Sequence, residues 1–250
     1  MSKSNKAKKP NDDNECINFY TLPSIKKDLP KYEDKQLEYT GMNIDTRILV
    51  CGASGTGKTN ALMNYLYQTS KPKNGTFQHI LLCYKVEEVL YDNLFKKLGP
   101  QNITAYTSLK SFPDVQQFPT QSEDKYLVIF DDCVNDEDKA SVKKVKDYFA
   151  FSRKKGVTTI FITQSYFDTP KFVRKNMMYL LLLSINGKKD LNNILRDHNV
   201  KDLSSDQLRA IYDICTKKLN PGDMPFMKIN CSHVDKDLKF SRNFLGYVHY

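Results

Sequence analysis

From Arg47 onward, short apolar runs alternate with longer amphipathic stretches. The runs predict strands over Arg47–Cys51, His79–Tyr84, Ile103–Tyr106, Tyr126–Phe130, Thr158–Thr163 and Tyr179–Ser184. Helical patterns lie between most of them, over Lys58–Tyr67, Glu87–Leu98, Asp136–Phe149 and Lys171–Asn176. Leu127-Val128-Ile129-Phe130 and Leu180-Leu181-Leu182-Leu183 are apolar on both faces, as strands are when helices cover both sides of a mostly parallel sheet. The alternation predicts a three-layer α/β domain. After Ser184 the pattern turns helical over Leu191–His198 and Ser205–Leu219, then strand-like over Phe226–Asn230, before an aromatic-rich tail. The domain is expected to cover residues 41–250, with a helical C-terminal extension from about 186. Residues 1–40 have no clear period; Lys3, Lys6, Lys8 and Lys9 precede a polar stretch and Pro23 and Pro30, which reads as a flexible arm. Such an arm is either a solvated terminus or a DNA-contacting tail.

Composition fits a soluble globular chain: of 250 residues, 40% are hydrophobic and 27% charged. The longest apolar run, Met177–Ile185, is far short of the roughly 20 residues a membrane span needs. The first residues hold no apolar core segment, so no secretory signal is expected. Six cysteines without a Cys-x-x-Cys pair, and only four histidines, argue against a zinc cluster and for a reduced, intracellular protein. A net charge of +9 favours an anionic partner, nucleic acid or a membrane surface, without choosing between them.

The strongest local signal is Gly52-Ala53-Ser54-Gly55-Thr56-Gly57-Lys58-Thr59, directly after a predicted strand and opening the helix that starts through Asn60. Glycines let the backbone fold around an anion, and successive N–H groups at a helix N-terminus then point at phosphate oxygens. Lys58 is expected to reach the β- and γ-phosphates of ATP, and the Thr59 hydroxyl to ligate Mg²⁺.

Some seventy residues later, Leu127-Val128-Ile129-Phe130 ends in Asp131-Asp132. Asp131 would hold Mg²⁺ through its water shell, and Asp132 would orient or activate the water that attacks the γ-phosphate. The bland alternative makes both aspartates caps of the next helix, although Asn135 or Asp136 is better spaced for that. The next strand ends at Gln164, whose amide suits a γ-phosphate sensor; the alternative is a solvated strand end. This reading requires the Gln164 strand to lie between the phosphate-loop strand and the acidic strand.

Three segments together resemble the genome-packaging ATPases of poxviruses, giant viruses and virophages, a branch of the HerA–FtsK superfamily. They are Gly52–Thr59, Val128–Asp132, and Thr163-Gln164-Ser165-Tyr166-Phe167-Asp168-Thr169-Pro170 through Arg174-Lys175-Asn176. The resemblance covers about residues 40–185 well and the C-terminal part more loosely. It implies a RecA-like P-loop NTPase fold and a homo-oligomeric ring, pentameric or hexameric, that translocates double-stranded DNA into a capsid. It also implies capsid or portal-vertex partners and residence in the host cytoplasm or virus factory, with association with the virion. One departure is that Asp132 stands where many of these motors carry Glu.

By the same resemblance Arg153, in Phe151-Ser152-Arg153-Lys154-Lys155-Gly156, is the preferred finger acting on a neighbouring subunit's site, with Arg174 the second candidate; the alternatives for either are a sensor in its own subunit, a contact to DNA phosphate or an ordinary surface arginine. Basic residues gather at Lys143, Lys144, Lys146 and Arg153–Lys155, and at Lys171, Arg174 and Lys175. Both groups are expected at Gln164's end of the sheet, gripping DNA backbone without reading sequence, though a charge run is also what a solvated helix face looks like. Rival readings are a P-loop nucleoside or nucleotide kinase, a non-viral HerA/FtsK-like motor, and a scaffold that binds ATP only to assemble.

Overall fold

The computed structural model describes residues 22–26, 35–120, 122–133, 138–200, 203–232 and 236–249. The chain divides into two compact units, residues 1–32 and 33–250. In the first, the described residues form the short helix α1 (Pro23–Lys26); most of the expected arm, including its lysines, lies outside the described residues. The second unit opens with α2 (Lys35–Thr40). Its fold therefore takes in the end of the segment read as arm.

From there strands and helices alternate: β1 (Arg47–Cys51), α3 (Lys58–Ser70), β2 (His79–Tyr84), α4 (Val89–Leu98), β3 (Ile103–Tyr106), β4 (Tyr126–Asp131), α5 (Lys139–Phe151), β5 (Val157–Thr163), α6 (Lys171–Asn176) and β6 (Tyr179–Leu182). Two further helices, α7 (Lys188–Asp197) and α8 (Ser205–Thr216), precede β7 (Met227–Asn230), β8 (Phe240–Arg242) and β9 (Gly246–Tyr247). One sheet holds all these strands in the order β3-β2-β4-β5-β1-β6-β7-β8-β9. Pairing is parallel from β3 to β6, with Leu49 opposite Phe161 and Val128 opposite Thr159, and antiparallel from β6 to β9.

Side chains alternate across each strand. Ile48, Val50, Ile129 and Ile162 pack with Leu62 and Tyr65 of α3 and Tyr91 of α4. Leu49, Val128, Phe130 and Phe161 face the other way, against Val145 and Phe149 of α5, Ile194 of α7 and Ile211 of α8. These are the three layers the apolar runs predict. In the C-terminal region the helices are followed by β7, where a strand is expected over Phe226–Asn230, and by two further antiparallel strands, β8 and β9, that the sequence pattern does not show. β8 and β9 span three and two residues, too short to leave a readable period.

The helix after the acidic strand starts later than its pattern suggests. Asp138 is its N-cap, accepting the N–H groups of Ala140 at 3.1 Å and Ser141 at 3.4 Å. Asn135 and Asp136, the expected caps, lie outside the described residues. With Asp138 in that position, neither Asp131 nor Asp132 caps α5.

Candidate nucleotide site

In parallel sheets of this kind, the loops at the carboxyl ends of the strands form the binding crevice. Here β5 lies between β1 and β4, so Gln164 stands between the phosphate loop and the two aspartates. The loop is tied to both neighbours of β1: Gly52 N–H donates to the Thr163 carbonyl at 3.3 Å and Ala53 N–H to the Ser184 carbonyl at 3.0 Å. Ser54 and Gly55 form its exposed tip. Gly57 begins α3 with φ +97°, a left-handed conformation, and an added Cβ there would meet the Met224 sulfur at 2.6 Å. Glycine is therefore required at this point both by backbone angle and by space.

Lys58 folds over the loop, its Nζ donating to the Ala53 carbonyl at 3.1 Å. Burial lowers the affinity of its amine for a proton, an effect opposed by the carboxylates of Asp131, Asp132 and Glu88. Thr59 and Asn60 lie in the first turn of α3. The Thr59 hydroxyl donates to Glu88 Oε2 at 2.7 Å. Across the cleft the Tyr91 hydroxyl donates to Asp131 Oδ2 at 2.5 Å. Burial raises the Asp131 carboxyl above the usual range, opposed by the Tyr91 bond and reinforced by Asp132 and Glu88.

Asp132 follows with φ +47°, left-handed backbone that is uncommon outside glycine and tolerated best by Asn and Asp. Its N–H still donates to the Ile162 carbonyl at 3.1 Å, so the strand pairing continues while the side chain is redirected. The exposed Asp132 carboxylate accepts a hydrogen bond from Gln164 Nε2 at 3.0 Å. Behind Gln164 the chain is held firmly: the Tyr166 hydroxyl is 3.0 Å from His198 Nε2, and the Arg174 guanidinium lies 5.3 Å from the centre of the Tyr166 ring. A cavity of about 170 Å³ adjoins this loop between Gln164 and Asp190, with Ala53 in its wall.

The remaining expected residues do not join this group. Arg153 precedes β5 and is exposed at the opposite end of the sheet, among Asp45, Arg47 and Lys125. A seven-residue strand at about 3.3 Å per residue separates it from Gln164. The expectation that both basic groups share Gln164's end is thus corrected: α5 runs from that end to the other and spreads the first group along its length. Lys143 pairs with Asp147 at 3.0 Å, Lys144 with Asp114 at 3.3 Å, and Lys155 donates to Thr120 Oγ1 at 3.0 Å. Arg174 donates from Nε to the Thr169 carbonyl at 3.1 Å and stacks on aromatic rings, so it braces the loop after Gln164.

Glu88 and Tyr91 carry no motif, and sequence reading passes over them. Only the pairing of β2 with β4 brings the turn after β2 against the acidic strand. The donor set suits Mg²⁺, which prefers hard oxygen ligands and keeps several waters. Among the described residues no group of three His, Cys, Asp or Glu side chains could hold an ion by itself, so phosphate oxygens would have to complete its shell. The hydroxyl of Thr59 and the partly buried carboxyl of Asp131 fit that arrangement, since a cation would relieve the desolvation cost of the charge.

The family described as poxvirus A32 protein matches residues 34–222. Among solved structures, the genome-packaging NTPase B204 of Sulfolobus turreted icosahedral virus 2, in complex with sulfate, superposes with a TM-score of 0.54 at 12% identity, covering 81% of this chain and 97% of that one. The same NTPase in complex with ATP-γ-S gives 0.51 at 14% identity, over 81% and 98%. The pCW3 conjugation coupling protein TcpA, in its monomer form with ATP-γ-S, gives 0.52 at 13% identity, over 86% of this chain and 70% of that one. Curated protein sequences provide no match. At these identities the likeness establishes the fold, the α/β fold of P-loop NTPases, with the central parallel sheet expected from sequence.

Proposed function

We propose that this chain, which belongs to the poxvirus A32 protein family, is an ATPase that drives double-stranded DNA into a viral capsid as part of a homo-oligomeric ring. The observation that carries the proposal is the hydrogen bond between Gln164 and Asp132 at 3.0 Å, on adjacent strands beside an intact phosphate loop. A carboxylate and an amide that share one hydrogen bond can hold one water between them when a γ-phosphate arrives. That favours attack by water over transfer to an acceptor hydroxyl, and so an ATPase over a nucleoside kinase.

In this reading Gly52–Asn60 wrap the phosphates, Lys58 binds the β- and γ-phosphates, and Thr59 with Asp131 hold Mg²⁺, which when bound offsets phosphate charge. Asp132 accepts the proton of the attacking water, and Gln164 registers whether the γ-phosphate is present. Tyr166 and Arg174 can carry that state to α6, whose Lys171 and Lys175 are exposed and suited to duplex backbone. Arg153, remote from its own site, serves a neighbouring subunit's. Capsid or portal-vertex proteins would be the docking partners, in the host cytoplasm or virus factory, and the ring would accompany the virion.

The deciding experiment measures ATP hydrolysis with and without linear duplex DNA, and with nucleosides, beside a mass measurement of the assembly. Stimulation by duplex DNA in an assembly several times the 28.9 kDa chain supports the motor. Phosphorylated nucleoside as product would replace it with a kinase, and a monomer indifferent to DNA would remove it.

A further inference from the structure

The first turn of α4 presents two side chains to the nucleotide site that lie outside the phosphate-loop and acidic-strand motifs. Glu88 occupies the N-cap position with extended backbone, φ −139° and ψ 136°, yet its side chain makes no capping bond. Oε2 accepts the Thr59 hydroxyl at 2.7 Å instead. Three residues on, the Tyr91 hydroxyl donates to Asp131 Oδ2 at 2.5 Å. Residues three apart share a helix face, so one turn reaches both groups that would face a metal.

Local packing does not account for Glu88. Its neighbours Val86 and Val89 are 77% and 72% exposed; the turn is anchored instead by Tyr91, 1% exposed, which leaves the Glu88 side chain unexplained by packing. The chemistry of a hydroxyl ligand gives a reason. A threonine that coordinates a cation offers an oxygen lone pair, and its hydrogen must point elsewhere to an acceptor. Glu88 is that acceptor: the Thr59 hydrogen is committed to its Oε2. Tyr91 likewise occupies one oxygen of Asp131 and leaves the other for water or metal. Groups that orient ligands in this way contribute to metal affinity without touching the ion.

We propose that Glu88 and Tyr91 are positioning residues that orient Thr59 and Asp131 toward nucleotide-bound Mg²⁺. This rests on the reading of the site as one for Mg–ATP. The test uses the full chain and a fluorescent N-methylanthraniloyl ATP, first in EDTA and then titrated with MgCl₂, for wild type, Glu88→Ala, Glu88→Gln and Tyr91→Phe. In EDTA all four should bind alike, showing that the phosphate loop is intact. Half-saturation by Mg²⁺ should rise about 10-fold or more for Glu88→Ala and in the same direction for Tyr91→Phe. Glu88→Gln, whose amide oxygen still accepts from Thr59, should recover most of the loss. Wild-type half-saturation in Glu88→Ala or Tyr91→Phe, or a Glu88→Gln no better than Glu88→Ala, overturns the assignment. A wild-type chain whose nucleotide binding ignores Mg²⁺ would instead defeat the reading of the site itself, and this proposal with it.

Discussion

Gln164 donates its amide to Asp132 at 3.0 Å across neighbouring strands, although 32 residues separate the two in sequence. Each stands one residue past its strand, and the left-handed backbone of Asp132, φ +47°, turns its carboxylate toward the amide. Both side chains are exposed.

Asp132→Asn should keep the fold, because Asn tolerates left-handed backbone at least as well as Asp, and should keep nucleotide binding. Hydrolysis should fall by about 10² or more, the range in which a positioned base contributes. Gln164→Ala should lose hydrolysis without losing affinity. Single-turnover ATPase assays beside nucleotide titrations check both.

Lys58→Ala removes the only side-chain cation within the loop Gly52–Thr59. Affinity for ATP should fall at least about 10-fold, as expected when a charge-assisted phosphate contact is lost. Melting temperature without nucleotide should hold or rise, since burial disfavours the charged amine.

Asp131→Asn should stabilise the nucleotide-free protein. The folded carboxyl titrates above its unfolded value, so stability increases as pH falls through that raised value and is reduced above it. At neutral pH the variant lacks this cost and should unfold on the order of 1 kcal/mol harder, while losing Mg²⁺-dependent nucleotide binding. Denaturant unfolding at pH 7 measures the first and titration with Mg²⁺ the second.

Lys228 offers a second pH test, away from the site. Its side chain is 1% exposed; Nζ donates to the carbonyls of Thr40, at 3.0 Å, and Phe244, and burial lowers its pKa to about 7. Between pH 7 and the unfolded value the unfolded chain holds the extra proton, so folding stability should climb with pH. The slope should approach about 1.4 kcal/mol per pH unit at most. Lys228→Met should flatten that component in unfolding curves taken from pH 7 to 9.

Arg153→Ala should leave nucleotide affinity unchanged, because the side chain lies at the far end of β5 from its own phosphate loop. If it serves a neighbour, mixing Arg153→Ala with Asp132→Asn chains should restore ATPase activity that neither shows alone. Absence of rescue would assign Arg153 to the cluster with Asp45 and Arg47.

Sequence alone determined what depends on neighbours in the chain. The strand Arg47–Cys51, the glycine-bearing loop and the helix from Lys58 are legible because residue spacing sets both backbone period and phosphate geometry. The strand ending at Asp131 and the amide at Gln164 are legible for the same reason. Only tertiary structure decided what depends on strand order and direction. The β2–β4 pairing delivers Glu88 and Tyr91, which have no motif, to Thr59 and Asp131. The parallel pairing of β5 with β1 sets the Gln164 end of that strand beside the phosphate loop and leaves Arg153 at the end away from it. Periodicity records which face a residue prefers to bury, whereas these separations and encounters arise when distant strands choose their partners.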